Sequence, residues 1–344
     1  MNLDDAIDLD RAPHGSSDDP DLLDFSANTN PAVPEGVERV YREAFADARE
    51  YPAEPPAAFR EAAADYVDCE PEAVIPTPGG LAAIRATVAL AIGSGDTALV
   101  PAPSFGEYAR EVRLQGGEPT FVASDSILDA DPTDHALAVV CHPNNPTGEA
   151  YDRDELERFA ARCRERDTLL LVDEAFLGFT DRSSLAGTEG VVVARSLTKL
   201  FGLPGIRTGF AVATGRFGRA LNSTRRPWNV STPAVATGAY CMQQDGFIRE
   251  TRDRVRTERA RMREALGERY DVHPSDAPFL LVDVGEPENA ERSVESVITD
   301  ARDRGVAIRD ATTFRGLDSH VRVAVRGHAE NDRLLAALGV GRRE

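Results

Sequence analysis

Apolar residues recur along the central part of the chain in two alternating patterns, short continuous runs and longer stretches with a helical period. Short runs bounded by turn residues predict buried strands, and the helical period predicts helices between them. The predicted strands are residues 97–100, 119–122, 136–141, 168–172 and 191–194, and the predicted helices are 105–114 and 153–165. This alternation predicts an α/β fold with a mostly parallel sheet that has helices on both faces.

Both ends of the chain differ from this region. Residues 1–32 are polar and rich in aspartate, which predicts an extended arm with little regular structure until Val33, of the kind that often crosses to a partner subunit. Before the first strand, helices are predicted at 35–48, 56–68 and 81–91. After residue 245, the patterns predict helices at 246–269, 293–304 and 329–338 and strands at 279–284, 306–309 and 321–325. We therefore expect an arm (1–32), a large domain (33–245) and a small α+β domain (246–344).

The charge of the chain narrows its partners. With 58 acidic and 39 basic residues the formal net charge is -19, so binding to nucleic acid, which requires neutralisation of phosphates, is not expected. No apolar run is long enough for a membrane span and the acidic N-terminus does not resemble a signal peptide, so we expect a cytoplasmic protein without a membrane partner. The four cysteines are scattered without metal-ligand spacing, and no metal site is expected.

Lysine is almost absent from this chain. The 39 basic residues comprise 38 arginines and one lysine, Lys199, which is typical of the acidic surface of proteins from salt-adapted cytoplasms. Arginine can replace lysine on a solvated surface, but only an amine whose pKa can fall deprotonates and forms an imine with an aldehyde. Lys199 is therefore a candidate catalytic residue, unless it escaped replacement by chance.

The sequence around Lys199 gives this amine a chemical context. Residues 196–209, SLTKLFGLPGIRTG, resemble the lysine signature of fold-type I pyridoxal-phosphate enzymes. The hydroxyl groups of Ser196 and Thr198 and the fixed cation of Arg207 suit a phosphate dianion. The resemblance implies that pyridoxal 5'-phosphate is the cofactor, that its aldehyde forms an imine with Lys199, and that Ser196 and Arg207 hold its phosphate. The alternative is a surface lysine in a glycine-rich loop.

Two motifs upstream resemble segments of the same enzymes. Residues 142–148, HPNNPTG, are similar to an Asn-Pro-Thr-Gly turn, although turn formation alone also explains them. Residues 172–176, VDEAF, are similar to the family's Asp-Glu-Ala-aromatic stretch. The resemblance implies that Asn145 donates to the phenolic oxygen of the cofactor ring and that Asp173 pairs with the ring nitrogen, which keeps this nitrogen protonated and the ring electron-withdrawing. An Asp-Glu pair also occurs in metal sites, but no third ligand is suitably placed.

Three further segments extend the resemblance. Phe105 is expected to cover one face of the ring, with Tyr108 as a second aromatic candidate, although both also suit core packing. Tyr51 matches a tyrosine that reaches the cofactor phosphate of the neighbouring subunit, which implies a homodimer; the alternative is an exposed turn residue. Backbone N–H groups for the phosphate are expected at a helix start, from Gly79, Gly80 and Leu81.

The two ends of the chain narrow the resemblance to the branch that contains histidinol-phosphate aminotransferases and threonine-phosphate decarboxylases. The segments more similar to the decarboxylases are 14–16 (HGS), 23–31 (LDFSANTNP), 305–310, 314–318 and 321–326, together with Trp228 and Asn331. By this resemblance Arg322 holds the substrate carboxylate, which its planar guanidinium can bind at two points. The other candidate substrate-binding residues are His14, Asn30, Asn145 and Arg309.

The resemblance implies a reaction on a phosphorylated amino acid. This reaction is the decarboxylation of L-threonine O-3-phosphate to (R)-1-amino-2-propanol O-2-phosphate for cobalamin biosynthesis, with the phosphate near Arg309, His14 and Asn30. Three alternatives stay open: a histidinol-phosphate aminotransferase, another class I or II aminotransferase, and a catalytically silent relative that binds the cofactor as a structural or regulatory module. A silent relative is expected to have lost Lys199 or Asp173, and both are present.

Overall fold

The structure is a computed structural model that describes residues 7, 9–285 and 293–340. The parts of the expected arm and small domain that lie outside the described residues are 1–6, 8, 286–292 and 341–344. The strands are β1 (Leu23–Asp24), β2 (Val74–Thr77), β3 (Thr97–Ala102), β4 (Glu118–Ala123), β5 (Leu137–Cys141), β6 (Leu169–Asp173), β7 (Val191–Ser196), β8 (Gly209–Ala213), β9 (Asp271–Val272), β10 (Phe279–Asp283), β11 (Val306–Ala307), β12 (Arg309–Asp310) and β13 (His320–Ala324). The α-helices are α1 (Val37–Asp47), α2 (Ala57–Val67), α3 (Gly80–Ala91), α4 (Glu107–Leu114), α5 (Arg153–Glu165), α6 (Gly215–Thr224), α7 (Thr232–Met242), α8 (Asp245–Gly267), α9 (Val294–Asp303) and α10 (His328–Ala337).

Seven strands form the main sheet, in the order β2-β8-β7-β6-β5-β3-β4. Neighbouring strands from β4 to β7 are parallel, whereas β8 runs antiparallel between β7 and β2. Every residue of β5 and β6 is buried, and alternate residues of each strand enter two apolar clusters on opposite faces of the sheet. The prediction of an α/β fold with a mostly parallel sheet is confirmed.

The sequence patterns predict neither β2 nor β8, the two strands at the antiparallel edge. Pro76 lies within β2, and proline argues against a strand unless the strand lies at a sheet edge, which is where β2 lies. β8 is a short buried run directly after the glycine-rich motif that contains Lys199, and its pairing with β2 joins residues far apart in the chain. No local pattern reports such a pairing.

Two helices, α6 and α7, are also absent from the sequence prediction. α7 buries small or weakly polar residues, among them Ala234, Thr237 and Gly238, so it lacks the polar face that marks an amphipathic helix. Its Pro233 lies in the first turn, where proline is tolerated because the N–H has no helical acceptor. Within the described ranges, no helix is both long and apolar enough to cross a membrane.

The described part of the N-terminal arm is extended and contains one short strand. Its strand β1 pairs in parallel with β11, and the N–H of Phe25 donates to the carbonyl of Ala307 at 2.8 Å. Leu23–Asp24 is the only strand or helix among residues 9–32, so the structure agrees with the expectation of little regular structure until Val33. The described part of the arm packs against the C-terminal region of its own chain.

A second sheet, in the order β12-β13-β10-β9, is antiparallel throughout. The long helix α8 begins at Asp245 and precedes all four of these strands in the chain. We propose that the small domain begins at this helix, as the sequence suggests, and that strand β1 of the arm belongs to it.

Candidate active site

A cavity of about 340 Å³ lies at the carboxyl ends of β5, β6 and β7 and is closed on its other side by the arm and by β12 and β13. Parallel strands place their carboxyl ends at one edge of a sheet, so residues that follow them meet there. The residues singled out from the sequence that line this cavity are His14, Gly80, Leu81, Phe105, Tyr108, Asn145, Asp173, Ser196, Thr198, Lys199, Arg207, Arg309 and Arg322.

Lys199 lies half-buried in a turn after β7. Burial, and after it the guanidinium groups of Arg322 and Arg207, lower the pKa of Lys199 to about 8, while Asp173 acts in the opposite direction. With such a pKa, roughly a tenth of the amine is neutral near pH 7. The neutral amine is the form that attacks a carbonyl carbon, so this environment suits imine formation.

Asp173 is the last residue of β6 and is buried. The hydroxyl of Tyr108 donates to its Oδ2 at 2.6 Å, and the N–H of Ala175 donates to its Oδ1 at 3.0 Å. Burial raises the pKa of Asp173, and the two hydrogen bonds lower it. Each carboxylate oxygen keeps a free lone pair, so Asp173 can accept one further hydrogen bond from a ring N–H in the cavity.

The neighbouring Glu174 points away from the cavity. Its carboxylate accepts hydrogen bonds from Arg195 Nη1 at 3.1 Å, Ser184 Oγ at 2.6 Å and the N–H of Leu185 at 2.9 Å. The carboxylates of Asp173 and Glu174 therefore have separate hydrogen-bond partners and do not point to one common site. In the part of the chain that the structure describes, no group of three or more His, Cys, Asp or Glu side chains could hold a metal ion.

A cluster of hydrogen-bond donors, called the cradle below, forms where helix α3 begins, at Gly79, Gly80, Ser196, Thr198 and Arg207. Gly79 has φ +88°, and a Cβ atom there would lie 2.7 Å from Nη2 of Arg207. A Cβ on Gly80 would lie 3.2 Å from Cβ of Ser196, whose Oγ is 2.9 Å from Oγ1 of Thr198. Glycines thus bring the helix start against a guanidinium and two hydroxyl groups, which together suit a phosphate dianion. Gly79 itself lies behind the lining, beside Arg207.

Phe105 and Tyr108 have different positions although both face the cavity. Their rings meet edge to face, with centroids 5.6 Å apart, and Tyr108 is fully buried with its hydroxyl on Asp173. Phe105 is only partly buried and contacts the ring of His14, at a centroid distance of 5.7 Å. Phe105 therefore keeps a ring face available for stacking. The sequence analysis did not predict the contact between Tyr108 and Asp173. The three-residue spacing at a helix start is the signal that places both side chains on one face.

Arg322 and Arg309 lie directly opposite each other on the antiparallel strands β13 and β12. Like charges in this register repel each other. Burial, and then the charge of Arg309, lower the pKa of Arg322 to about 9, so it stays protonated at neutral pH. The pair is therefore stabilised by any anion that binds near both groups.

The hydrogen bonds of these two arginines leave their charge uncompensated. Arg322 donates to Asn145 Oδ1 and, at 3.0 Å, to the carbonyl of Ser26, and its Nε has no partner among the described residues. Arg309 donates to the carbonyls of His14 at 3.0 Å and Pro13 at 2.9 Å and to a threonine hydroxyl. All these acceptors are neutral oxygens, so a buried carboxylate or phosphate would supply the missing counter-charge.

The cavity as a whole is cationic in a strongly acidic protein. Among the described residues that line it, four side chains carry a positive charge at neutral pH, apart from His14, and only Asp173 carries a carboxylate. The four cationic residues are Lys199, Arg207, Arg309 and Arg322. Because the chain has a net charge of -19, this excess is local and favours ligands with several negative charges.

Asn30 does not line the cavity, contrary to the sequence expectation. Its side chain donates to the carbonyl of Leu200 at 2.7 Å and accepts from Arg254 at 2.7 Å, so it joins the arm to its own chain. Asn28 lines the cavity instead: it is buried, and its Oδ1 has no hydrogen-bond partner among the described residues. Both asparagines lie in an irregular segment, which has no period from which the direction of a side chain could be read.

Tyr51 lies outside the cavity of its own chain. Its side chain is 76% exposed and stacks on Trp228, with ring centroids 4.3 Å apart. The expectation for Tyr51 concerned the site of a neighbouring subunit, so it stays a prediction.

These features together define a class of enzyme. A lysine after a strand of a mostly parallel sheet faces an aspartate at the end of the next strand, beside a glycine-opened helix start with an arginine. This is the fold of a fold-type I pyridoxal-phosphate enzyme, and the residues that line the cavity suit that cofactor. The chain belongs to the family Aminotransferase class I and II, which matches residues 20–338.

Known proteins of two activities are similar to this chain. It is 29% identical over 325 residues to histidinol-phosphate aminotransferase 1 of Archaeoglobus fulgidus, with 92% of this chain and 98% of the relative covered. It is 31% identical over 336 residues to threonine-phosphate decarboxylase of Salmonella typhimurium, with 92% and 90% covered. The structure of histidinol-phosphate aminotransferase from Sinorhizobium meliloti in complex with pyridoxal-5'-phosphate shares the fold, with a TM-score of 0.81, 23% identity and 91% and 88% covered.

Proposed function

We propose that this protein decarboxylates L-threonine O-3-phosphate to (R)-1-amino-2-propanol O-2-phosphate, a step of cobalamin biosynthesis, with pyridoxal phosphate as its cofactor. The observation that carries the proposal is the opposed pair Arg309 and Arg322, two buried cations without an anionic partner in the described chain. The cradle at Arg207 accounts for the cofactor phosphate alone. A substrate with both a carboxylate and a phosphate supplies one anion for each of the two opposed arginines, Arg309 and Arg322.

Different residues of the cavity would bind the two ends of the substrate and act at its Cα. Bound pyridoxal phosphate supplies an electron sink for the charge that develops there. Arg322 would hold the substrate carboxylate, while Arg309, His14 and Asn28 would bind the phosphate at the other end. Two anchors fix the rotation of the substrate, and rotation decides which bond at Cα is broken. Lys199, which lines the same cavity, would deliver a proton to Cα once the bond to the carboxylate has broken and carbon dioxide has left.

Transamination of histidinol phosphate is the second candidate. It is favoured by the similarity to the Archaeoglobus fulgidus aminotransferase, which extends over 98% of that relative. Histidinol phosphate has a phosphate but no carboxylate, so it would leave one of the two opposed arginines without a counter-charge while it is bound, and only the second substrate, 2-oxoglutarate, would supply a carboxylate. We therefore place it second.

Two assays distinguish these candidates. Purified protein loaded with cofactor is given L-threonine O-3-phosphate alone in one assay, and histidinol phosphate with 2-oxoglutarate in the other. We expect carbon dioxide in the first without any 2-oxoacid, and little glutamate in the second. The opposite pair of results would assign the protein to the aminotransferases and would leave the cofactor residues as described.

Arg322→Gln is expected to lower kcat/KM for threonine phosphate by about a hundredfold or more, because a buried charge-assisted contact to the carboxylate is lost. Inhibition by aminopropanol phosphate, which has no carboxylate, should change much less. Arg315→Gln is the matched control, since Arg315 is exposed and packs on Phe121 outside the cavity. Equal losses of affinity for substrate and product would show that Arg322 does not bind the carboxylate.

We also propose that the protein works as a cytoplasmic homodimer in which Tyr51 reaches the cofactor phosphate of the partner subunit. In a mixed dimer of Tyr51→Ala and Lys199→Ala chains, one site then has both defects and the other has none. Random mixing should therefore restore about a quarter of the wild-type activity. If mixing restores no more than the two parent variants show, Tyr51 does not act across an interface.

A further inference from the structure

The hydroxyl of Tyr108 is one of the most confined polar groups in the cavity wall. Tyr108 is fully buried in the first turn of α4, where its N–H donates to the carbonyl of Phe105 at 3.2 Å. Its hydroxyl is 2.6 Å from Oδ2 of Asp173, a distance typical of a hydrogen bond from a hydroxyl to a charged carboxylate. Burial, and then the charge of Asp173, raise the pKa of Tyr108 well above its ordinary value. The tyrosine therefore stays protonated and acts as a permanent donor.

Among the described groups around Asp173, Lys199 and Arg195 are cations, and neither donates a hydrogen bond to its carboxylate. The N–H of Ala175 is its other hydrogen-bond donor, and the guanidinium of Arg195, which acts on Asp173 by its charge, already binds Glu174 at 3.1 Å. The other titratable groups that act on Asp173 or are acted on by it are Glu174, Cys141 and Lys199. Burial raises the pKa of Cys141, so its thiol stays neutral. In these surroundings, burial alone would favour a protonated Asp173.

We propose that Tyr108 is a positioning residue for the electron sink: by donating to Asp173 it keeps the shared proton on the ring nitrogen of the cofactor instead of on the carboxylate. A proton between two acceptors resides on the more basic one, and a hydrogen bond to one acceptor lowers the basicity of that acceptor. The Tyr108 hydroxyl thus makes Asp173 a weaker base without touching the cofactor. This inference rests on the pairing of Asp173 with the ring nitrogen and does not depend on which amino acid is the substrate.

The protonation state of the ring nitrogen can be measured directly. The holoenzyme is prepared with pyridoxal phosphate carrying nitrogen-15 in the ring, and the nitrogen resonance is recorded by NMR near neutral pH, without substrate. We expect the wild-type resonance at the position of a protonated pyridinium. In Tyr108→Phe we expect it to move towards the unprotonated position, and the dissociation constant of the cofactor to rise about tenfold. The phenyl ring keeps the edge-to-face contact with Phe105, so the wall of the cavity is retained.

Tyr151→Phe is the matched control. Tyr151 is also buried and its hydroxyl also donates at 2.6 Å, but to the backbone carbonyl of Ser124, away from the cofactor cavity. The control should lose a similar amount of thermal stability and leave the nitrogen resonance unchanged. A pyridinium resonance that persists in Tyr108→Phe would overturn the proposal, as would an equal shift in both variants.

A third variant separates this inference from its premise. Asp173→Asn removes the carboxylate, so the ring nitrogen should be unprotonated whatever Tyr108 does. Pyridinium in Asp173→Asn would contradict both the pairing and the role of Tyr108. None of these measurements uses threonine phosphate, so a failure of the proposed substrate leaves their outcome intact.

Discussion

Lys199→Ala is expected to abolish activity completely and to leave pyridoxal phosphate held only by noncovalent contacts. The chain contains no other lysine, so no second side-chain amine can replace Nζ of Lys199. Its environment also prepares it for this reaction, since burial and the neighbouring arginines lower its pKa to about 8. Reduction with borohydride should add the mass of the reduced cofactor to the wild-type chain and nothing to the variant.

Lys199→Arg is the control for charge at this position. It restores a cation near Asp173, but guanidinium stays protonated and does not form an imine, so this variant should be as inactive as Lys199→Ala. Cofactor mass retained after reduction in either variant would show that another group carries the cofactor.

Asp173→Ala is expected to bind the cofactor but to lower kcat by about a thousandfold, because the charge that develops at the substrate Cα is no longer drawn into a protonated ring. The variant also leaves the hydroxyl of Tyr108 without its buried acceptor, so some loss of stability should accompany the loss of rate. Turnover and the melting temperature of the holoenzyme are the measurements.

Asp181→Asn is the control for this variant, since Asp181 is an exposed carboxylate that contacts Arg252 and Arg256 away from the cavity. It should keep wild-type turnover. If Asp173→Ala also keeps it, the wrong carboxylate has been assigned, and Glu174 is not a replacement because Arg195 and Ser184 hold it elsewhere.

Local patterns were sufficient for the parallel part of the fold but not for its edges. β5 and β6 are continuous buried runs next to amphipathic helices, and the sequence predicts both of them. β1 pairs with β11 and β2 pairs with β8, in each case more than a hundred residues away in the chain. Neither β1 nor β2 has the apolar pattern by which a strand is predicted from sequence. Long-range pairing, which no local period encodes, decided these elements.

The same distinction holds for the site. Lys199 and Asp173 follow parallel strands, so the topology brings them to one sheet edge as the motifs imply. The direction of side chains in the irregular arm could not be predicted, which is why Asn30 was expected in the cavity where Asn28 lies. Arg309 and Arg322 lie opposite each other because of the strand register in the second sheet, and this register could not be predicted from the sequence.

Two isotope labels followed through one reaction test most directly whether this protein is a decarboxylase. L-Threonine O-3-phosphate carrying carbon-13 in its carboxylate and nitrogen-15 in its amine is added to the holoenzyme with unlabelled 2-oxoglutarate, and the products are read by NMR. A decarboxylase should release the carbon-13 as bicarbonate and keep the nitrogen-15 in aminopropanol phosphate. Nitrogen-15 in glutamate, with the carbon-13 still bonded to the substrate skeleton, would contradict the proposed decarboxylation.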